Sequence, residues 1–194
     1  MNICLFGAAS NRTKENYIRK VEELGKILAK RGHNMVYGAG GAGLMGAAAR
    51  GFKAGGGKVT GVLPAFFLHE VEATLFPDCD EMIYTETMAE RKAIMEEKAD
   101  AFLTVPGGIG TLEEFLEVLT LRQLDRHDKA LVLFNVNGYF DELKAMLDRA
   151  VEEGFLKARC LDYLLITEDA EEAASYLEAG DPEHSGPDGG IGRI

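Results

Sequence analysis

Short apolar runs alternate with amphipathic segments along almost the whole chain, and this alternation constrains the fold more than any single motif. Asn2–Phe6, Asn34–Tyr37, Val59–Leu63, Glu81–Tyr84, Asp100–Val105, Lys129–Asn135 and Tyr163–Ile166 read as seven short strands. A helix with Tyr17, Val21, Leu24, Ile27 and Leu28 on one face follows the first, with Ser10, Asn11 and Thr13 as capping candidates. Further helices are expected over Ala47–Ala54, over Met88–Lys98 behind a Thr87 cap, and over Leu112–Leu124, Phe140–Glu153 and Asp169–Leu177. Ala65–Phe76 reads as loop with a helical turn. The alternation predicts an α/β chain with a Rossmann-like, doubly wound, mostly parallel sheet and helices on both faces. One nucleotide-binding domain over 1–179 and a disordered tail over 180–194, rich in Gly, Pro and charge, complete the expectation.

In such sheets ligands bind at the carboxyl ends of the strands. Three small-residue turns lie there, after Phe6, Tyr37 and Val105, and they should converge on one cleft. The third, Pro106 to Glu114, leads into a helix whose first N–H groups have no intrahelical partner. Those groups and the helix dipole favour an anion, and Gly107, Gly108 and Gly110 let a ligand approach the backbone. Thr111 adds a hydroxyl, and Glu113 and Glu114 place carboxylates beside it. A phosphate cradle with a carboxylate next to it points to chemistry on a phosphorylated molecule. The plainer reading is a packing turn whose acids complement the helix dipole.

The second turn satisfies G-x-G-x-x-G at Gly38/Gly40/Gly43 and again at Gly41/Gly43/Gly46. A dinucleotide site needs an acid about 20 residues on for the ribose. No Asp or Glu occurs between Gly38 and Glu70, and Lys58 sits at that spacing. A G-x-x-x-x-G-K-[ST] loop is absent as well. These glycines therefore cradle something smaller than a dinucleotide, or permit close packing.

The net charge of −11 argues against a nucleic-acid partner. Cys4, Cys79 and Cys160 form no C-x-x-C, so neither a disulfide framework nor a zinc site is indicated. No signal segment and no membrane-spanning run is evident, and the expected location is the cytoplasm.

Several stretches together resemble the LOG family of cytokinin riboside 5′-monophosphate phosphoribohydrolases, whose relatives are often labelled lysine decarboxylases. Val36 to Gly46 is similar to Y-G-G-G-x-x-G-L-M-G, and Gly61-Val62-Leu63-Pro64 to G-V-I-P. Met88 to Met95 is similar to M-H-x-R-K-x-x-M, and Pro106 to Glu114 matches P-G-G-x-G-T-x-x-E in full. Gln123-Leu124, His127, Lys129 and Asn137-Gly138-Tyr139-Phe140 extend a likeness that covers about Asn2 to Leu177.

The resemblance implies hydrolysis of the N-glycosidic bond of a purine, N6-modified adenosine, nucleoside 5′-monophosphate to free base and ribose 5-phosphate. It makes Glu114 and Arg91 the catalytic pair. Gly107, Gly108, Gly110 and Thr111 would hold the phosphate. Lys92 and Ser10 would line the cleft, with Gly41, Gly43 and Met88 as further substrate contacts. No metal or cofactor is required, and a homodimer is expected, with the Arg91-Lys92 helix near the partner.

Each assignment has a competing one. Arg91 and Lys92 share a helix with Glu90, Glu96 and Glu97, a setting for exposed ion pairs. Glu113 rivals Glu114, and adjacent helical residues point about 100° apart, so only one should face the cleft. His127 reads as a helix-end residue rather than a base, and His69 as a residue after a strand end. Met45, Met88 and Met95 read as packing residues or pocket walls.

The chain also departs from the family pattern. Ala39 replaces a glycine, a change the backbone accommodates at φ < 0. Gly41-Ala42 replaces a small polar pair, and Ala89 replaces the histidine before Arg91-Lys92. A competing function is a non-catalytic nucleotide or molybdenum-cofactor carrier on the same scaffold, which needs no Arg91/Glu114 pair. Lysine decarboxylation would require a pyridoxal-phosphate lysine, and neither Lys92 nor Lys98 stands in a context for one.

Overall fold

A computed structural model describes residues 1–68 and 74–180 of the chain. His69 and the tail beyond Gly180 lie outside the described residues. The strands are β1 (Asn2–Phe6), β2 (Asn34–Tyr37), β3 (Val59–Pro64), β4 (Glu81–Thr85), β5 (Ala101–Thr104), β6 (Leu131–Phe134) and β7 (Leu164–Thr167). They form one sheet in the order β4-β3-β2-β1-β5-β6-β7, and every pairing is parallel. The chain winds outward from β1 to β4, then returns to the other side of β1 as β5. The topological switch point therefore lies between β1 and β5, where Phe6 sits beside Thr104.

The helices are α1 (Glu15–Lys30), α2 (Gly43–Ala54), α3 (Met88–Lys98), α4 (Ile109–Gln123), α5 (Asp141–Glu152), α6 (Arg159–Asp162) and α7 (Ala170–Ala179). The two-residue period of β1 sends Ile3 and Leu5 to one face and Cys4 and Phe6 to the other. Ile3 and Leu5 share a core with Val21, Leu24 and Leu28 of α1, Phe52 of α2 and Leu177 of α7. Cys4 and Phe6 share the opposite core with Met95 of α3, Phe115 and Val118 of α4, and Leu147 of α5. The result is three layers, helix on sheet on helix.

Most expected elements lie where the periodicity puts them, and the deviations have local causes. Helix α1 begins after Lys14 with no side-chain cap. Of the candidates, Ser10 and Thr13 instead tie up their own turn. Ser10 Oγ accepts the Arg12 N–H at 3.2 Å, and Thr13 Oγ1 donates to the Ser10 carbonyl at 2.9 Å. Helix α3 has its Thr87 cap, whose hydroxyl accepts the Glu90 N–H at 3.1 Å. Helices α2 and α4 start four and three residues earlier than expected, because their first turns include residues read as part of the glycine-rich turns, Gly43 and Gly46 in α2 and Gly110 in α4. Helix α6 is one turn long, too short for periodicity to reveal. Ala65–Phe67 forms a single 3₁₀ turn after β3.

Ala39 does not meet the condition of a negative φ under which the turn was expected to tolerate it, because it adopts φ 63. It is fully buried, with its carbonyl accepting the Phe76 N–H at 3.0 Å. Next to it, Gly40 forms an antiparallel bridge with Leu75, and the Gly41 N–H donates to the Thr74 carbonyl at 2.7 Å. The second glycine turn is thus stitched to the segment at 74–76, which holds Ala39 in a conformation that costs an L-residue about 1–2 kcal/mol.

Candidate active site

The three turns do converge. A cleft of about 430 Å³ opens at the carboxyl ends of β1, β2 and β3, between α3 and the start of α4. That is within the usual range of ligand pockets. Its walls include Ser10, Met88, Arg91, Gly108, Gly110, Thr111 and Glu114, all expected from sequence. Leu63 and Met45, both within the quoted motifs, supply apolar surface, as do Phe67 and Leu75, which no motif singled out.

The two glycine-rich helix starts are not equivalent. At α2, the N–H groups of Leu44 and Met45 both donate to the Ala8 carbonyl, at 2.8 and 3.1 Å. Gly43 lies at φ 58 with its Cα against the backbone of Ala8 and Ser10, where a Cβ would come within 2.6 Å of the Ala8 oxygen. The helix end is therefore filled by the loop after β1, while Gly38 and Gly40 of the same turn border the cleft. Gly43, set against this loop, and Gly41, set against the backbone of Leu75 and Phe76, stand apart from the cleft walls. At α4 the first intrahelical acceptor is the Gly108 carbonyl, taken by Leu112 at 3.1 Å. Among the described residues, no backbone acceptor meets the N–H groups of Gly108, Ile109, Gly110 or Thr111. This helix end remains open to an anion.

Arg91 and Glu114 meet across the cleft wall. Arg91 Nη2 donates to Glu114 Oε1 at 2.8 Å, and the two side chains are only 12% and 11% exposed. Burial pushes the Glu114 carboxyl above its ordinary range, while the Arg91 guanidinium restrains that rise. Arg91 Nε is buried with no hydrogen-bond partner among the described residues. The guanidinium fits because position 38 has no side chain. A Cβ on Gly38 would lie 2.4 Å from Arg91 Nη2.

Both adjacent acids border the cleft, contrary to the expectation that only one would face it, but they touch different partners. Glu113 is 53% exposed and pairs with Lys92. Lys92 also reaches Glu117 at 2.6 Å, and these two carboxylates hold its ammonium strongly protonated. Lys92 is thereby drawn to the outer flank of α4 instead of lining the cleft. Gly107 also stands behind the wall, beneath the Thr111 hydroxyl and with its carbonyl accepting from the Tyr139 hydroxyl. Tyr139 was visible in sequence only as part of a motif, with no chemistry attached. His127 is structural: its Nε2 lies 2.9 Å from the Val118 carbonyl, and its Nδ1 accepts the Lys129 N–H at 3.2 Å. Burial lowers its pKa, so it sits as a neutral ring against Phe102. Met95 is core, whereas Met45 and Met88 border the cleft. No group of three or more His, Cys, Asp or Glu among the described residues is arranged to hold a metal ion.

Residues 45–177 match the family described as "Possible lysine decarboxylase". Over 94% of its length the chain is 40% identical to the probable cytokinin riboside 5′-monophosphate phosphoribohydrolase LOG6 of Arabidopsis thaliana, and it covers 90% of that protein. The chain belongs to the LOG family. A second LOG relative, the cytokinin riboside 5′-monophosphate phosphoribohydrolase of Mycobacterium marinum, is 39% identical over 81% of this chain and 83% of its own. Among solved structures, the fold is similar to the molybdenum cofactor binding protein of Rippkaea orientalis, with a TM-score of 0.69 at 21% identity over 92% of this chain and 95% of that one. The molybdenum cofactor carrier protein of Chlamydomonas reinhardtii also reaches 0.69, at 24% identity over 92% and 96%. These two similarities concern the fold shared with LOG proteins.

Proposed function

We propose that this LOG-family chain hydrolyses the N-glycosidic bond of a purine nucleoside 5′-monophosphate, with N6-modified adenosine as the base class. The observation that carries this reading is the near-buried Arg91–Glu114 pair beside an open helix N-terminus. The open end of α4 receives the 5′-phosphate through backbone N–H groups and the Thr111 hydroxyl. That places the ribose against Glu114. As the bond from C1′ to the base nitrogen lengthens, positive charge grows on the sugar, and the Glu114 carboxylate stabilises it. The same carboxylate orients water and accepts its proton. Hydroxyl adds to C1′, the bonding electron pair leaves with the base, and the proton taken up by Glu114 passes on through solvent to the base nitrogen, which regenerates the carboxylate. Arg91 favours the ionised form of Glu114 against the effect of burial and presents positive charge at the cleft wall to the nucleotide. The apolar wall of Leu63, Met45 and Met88 faces the base.

Residues 1–179 act as one nucleotide-binding domain in this reading. A second copy covers the outer face of α4, where Ile109, Leu112, Leu116 and Leu121 border a groove of about 600 Å³ and Ile109 is 88% exposed. The net charge of −11 speaks against nucleic acid, and no described helix is long and apolar enough to cross a membrane. The three free cysteines fit a reducing cytoplasm.

Incubation with AMP and with N6-isopentenyl AMP tests the reaction. Free base and ribose 5-phosphate are expected, and both should disappear in Glu114→Gln and Arg91→Ala. Absence of base from either compound, with tight binding of a pterin ligand, would replace the hydrolase by a carrier.

A further inference from the structure

The run Asn137-Gly138-Tyr139-Phe140 lies beyond the cleft, yet it reaches the anion cradle from behind. The turn after β6 is built to present Tyr139. Asn135 Nδ2 donates to Asp141 Oδ1 at 2.7 Å, and Asn135 Oδ1 accepts the Phe140 N–H at 2.7 Å. The Gly138 N–H closes the turn on the Asn135 carbonyl at 3.1 Å. The Tyr139 ring stands edge-on to Phe140, with centroids 5.0 Å apart. From that position its hydroxyl donates to the Gly107 carbonyl.

That carbonyl belongs to the Gly107–Gly108 peptide. Flanked by two glycines, it is the link in the cradle least restrained by its own side chains. A trans peptide directs its C=O and the following N–H to opposite sides. Tyr139 and Gly107 border a side groove of about 330 Å³, whereas Gly108 borders both that groove and the main cleft. A carbonyl held toward the groove leaves the Gly108 N–H directed at the cleft. A rotated peptide would present an oxygen to the anion in place of a donor. The tyrosine hydrogen bond also polarises the peptide and strengthens the N–H on its far side.

We propose that Tyr139 is a positioning residue that locks the Gly107–Gly108 peptide in its anion-binding orientation, and so sets the preference of the site for a 5′-phosphate. This rests on the nucleotide reading of the cleft. Tyr139 touches no substrate in this scheme, and it is 42% exposed, so Tyr139→Phe keeps the packing and removes only the hydroxyl.

The test compares affinities for AMP and adenosine by calorimetry in the full chain carrying Glu114→Gln, which prevents turnover. Adding Tyr139→Phe should weaken AMP binding about tenfold and leave adenosine within twofold, as expected for one misdirected charge-assisted hydrogen bond. In the active chain, KM for the nucleotide should rise with kcat little changed. Equal losses for both ligands would mean a merely structural tyrosine, and an unchanged AMP affinity would remove its role in the cradle. Either result overturns the proposal. Failure of the unmutated chain to release base would refute the hydrolase reading alone, because the affinity pair still decides the role of Tyr139.

Discussion

Gly38 and Arg91 share one space: a methyl group at position 38 would lie 2.4 Å from the guanidinium nitrogen that binds Glu114. A side chain at this position, directly after β2, would displace the guanidinium from its present place. Gly38→Ala should therefore imitate the loss of Arg91. The expected result is a fall in kcat of roughly 100-fold or more, the scale of losing one preorganised charge contact, with the sheet intact by circular dichroism. Wild-type kcat in that variant would show that the guanidinium is free to work from elsewhere.

Glu113 and Glu114 are neighbours in sequence with opposite surroundings, and their variants should separate accordingly. Glu114→Gln is expected to lower kcat by about 10²–10⁴-fold, the range for a positioned acid–base group, while AMP binding persists. Glu113→Gln loses an exposed contact to Lys92, which Glu117 still holds. Its kcat/KM should stay within about threefold, in line with the small worth of exposed ion pairs. Steady-state assays of the two variants side by side decide the assignment.

The pH profile follows from the burial of Glu114. Its carboxyl titrates above the ordinary 4.5, and the reaction needs it ionised. The acid limb of kcat/KM should therefore fall at a pH above 4.5 and be absent from the residual activity of Glu114→Gln. Stability should carry the same signature with the opposite sign. A carboxyl whose folded pKa is raised contributes stability below its unfolded pKa and loses it as pH rises through the folded one. Thermal melts should thus show Glu114→Gln gaining on the unmutated chain as pH rises through that window.

Ala39 carries left-handed strain that a glycine would relieve. Ala39→Gly gives up a buried methyl group and adds unfolded-state entropy, and these offset part of a gain of about 1–2 kcal/mol. A net stabilisation of about 0.5–1 kcal/mol is expected, which for a chain of this size raises Tm by roughly 1–4 °C. A lowered Tm in calorimetry would mean that the methyl group packs better than its backbone angle suggests.

The outer face of α4 gives a prediction about assembly. Leu116 is 41% exposed in the middle of the apolar groove and makes no contact with the cleft. Leu116→Asp should convert a dimer to a monomer in sedimentation velocity while the isolated fold remains. An unchanged sedimentation coefficient would place the contact elsewhere.

The sheet, the order of its strands along the chain and one helix cap were legible because each has a short-range physical signature. Thr87 before α3 is the clearest instance. The cleft was legible in outline because parallel sheets bind ligands at strand ends, which pointed to Gly108 and Thr111, whereas Arg91 and the choice of Glu114 over Glu113 came from the resemblance to LOG proteins. What escaped depends on partners distant in sequence. Nothing near Lys92 shows that Glu117 will draw it outward. Ala39 gives no local hint of a positive φ, because the bonds that impose it come from residues 74–76. Tyr139 is 32 residues from the carbonyl it holds, and no spacing rule connects them.

The Ala8 carbonyl, seated on two N–H groups at the start of α2, bears on what this scaffold could be turned into. Redesign toward a nicotinamide cofactor would begin by restoring an acid after β3 and would fail, because the pyrophosphate berth is already occupied by the protein's own main chain. Vacating it means rebuilding the loop after β1, the same loop that brings Ser10 to the cleft. Substrate range here can drift through the apolar wall, but a change of cofactor class would have to dismantle the existing site first.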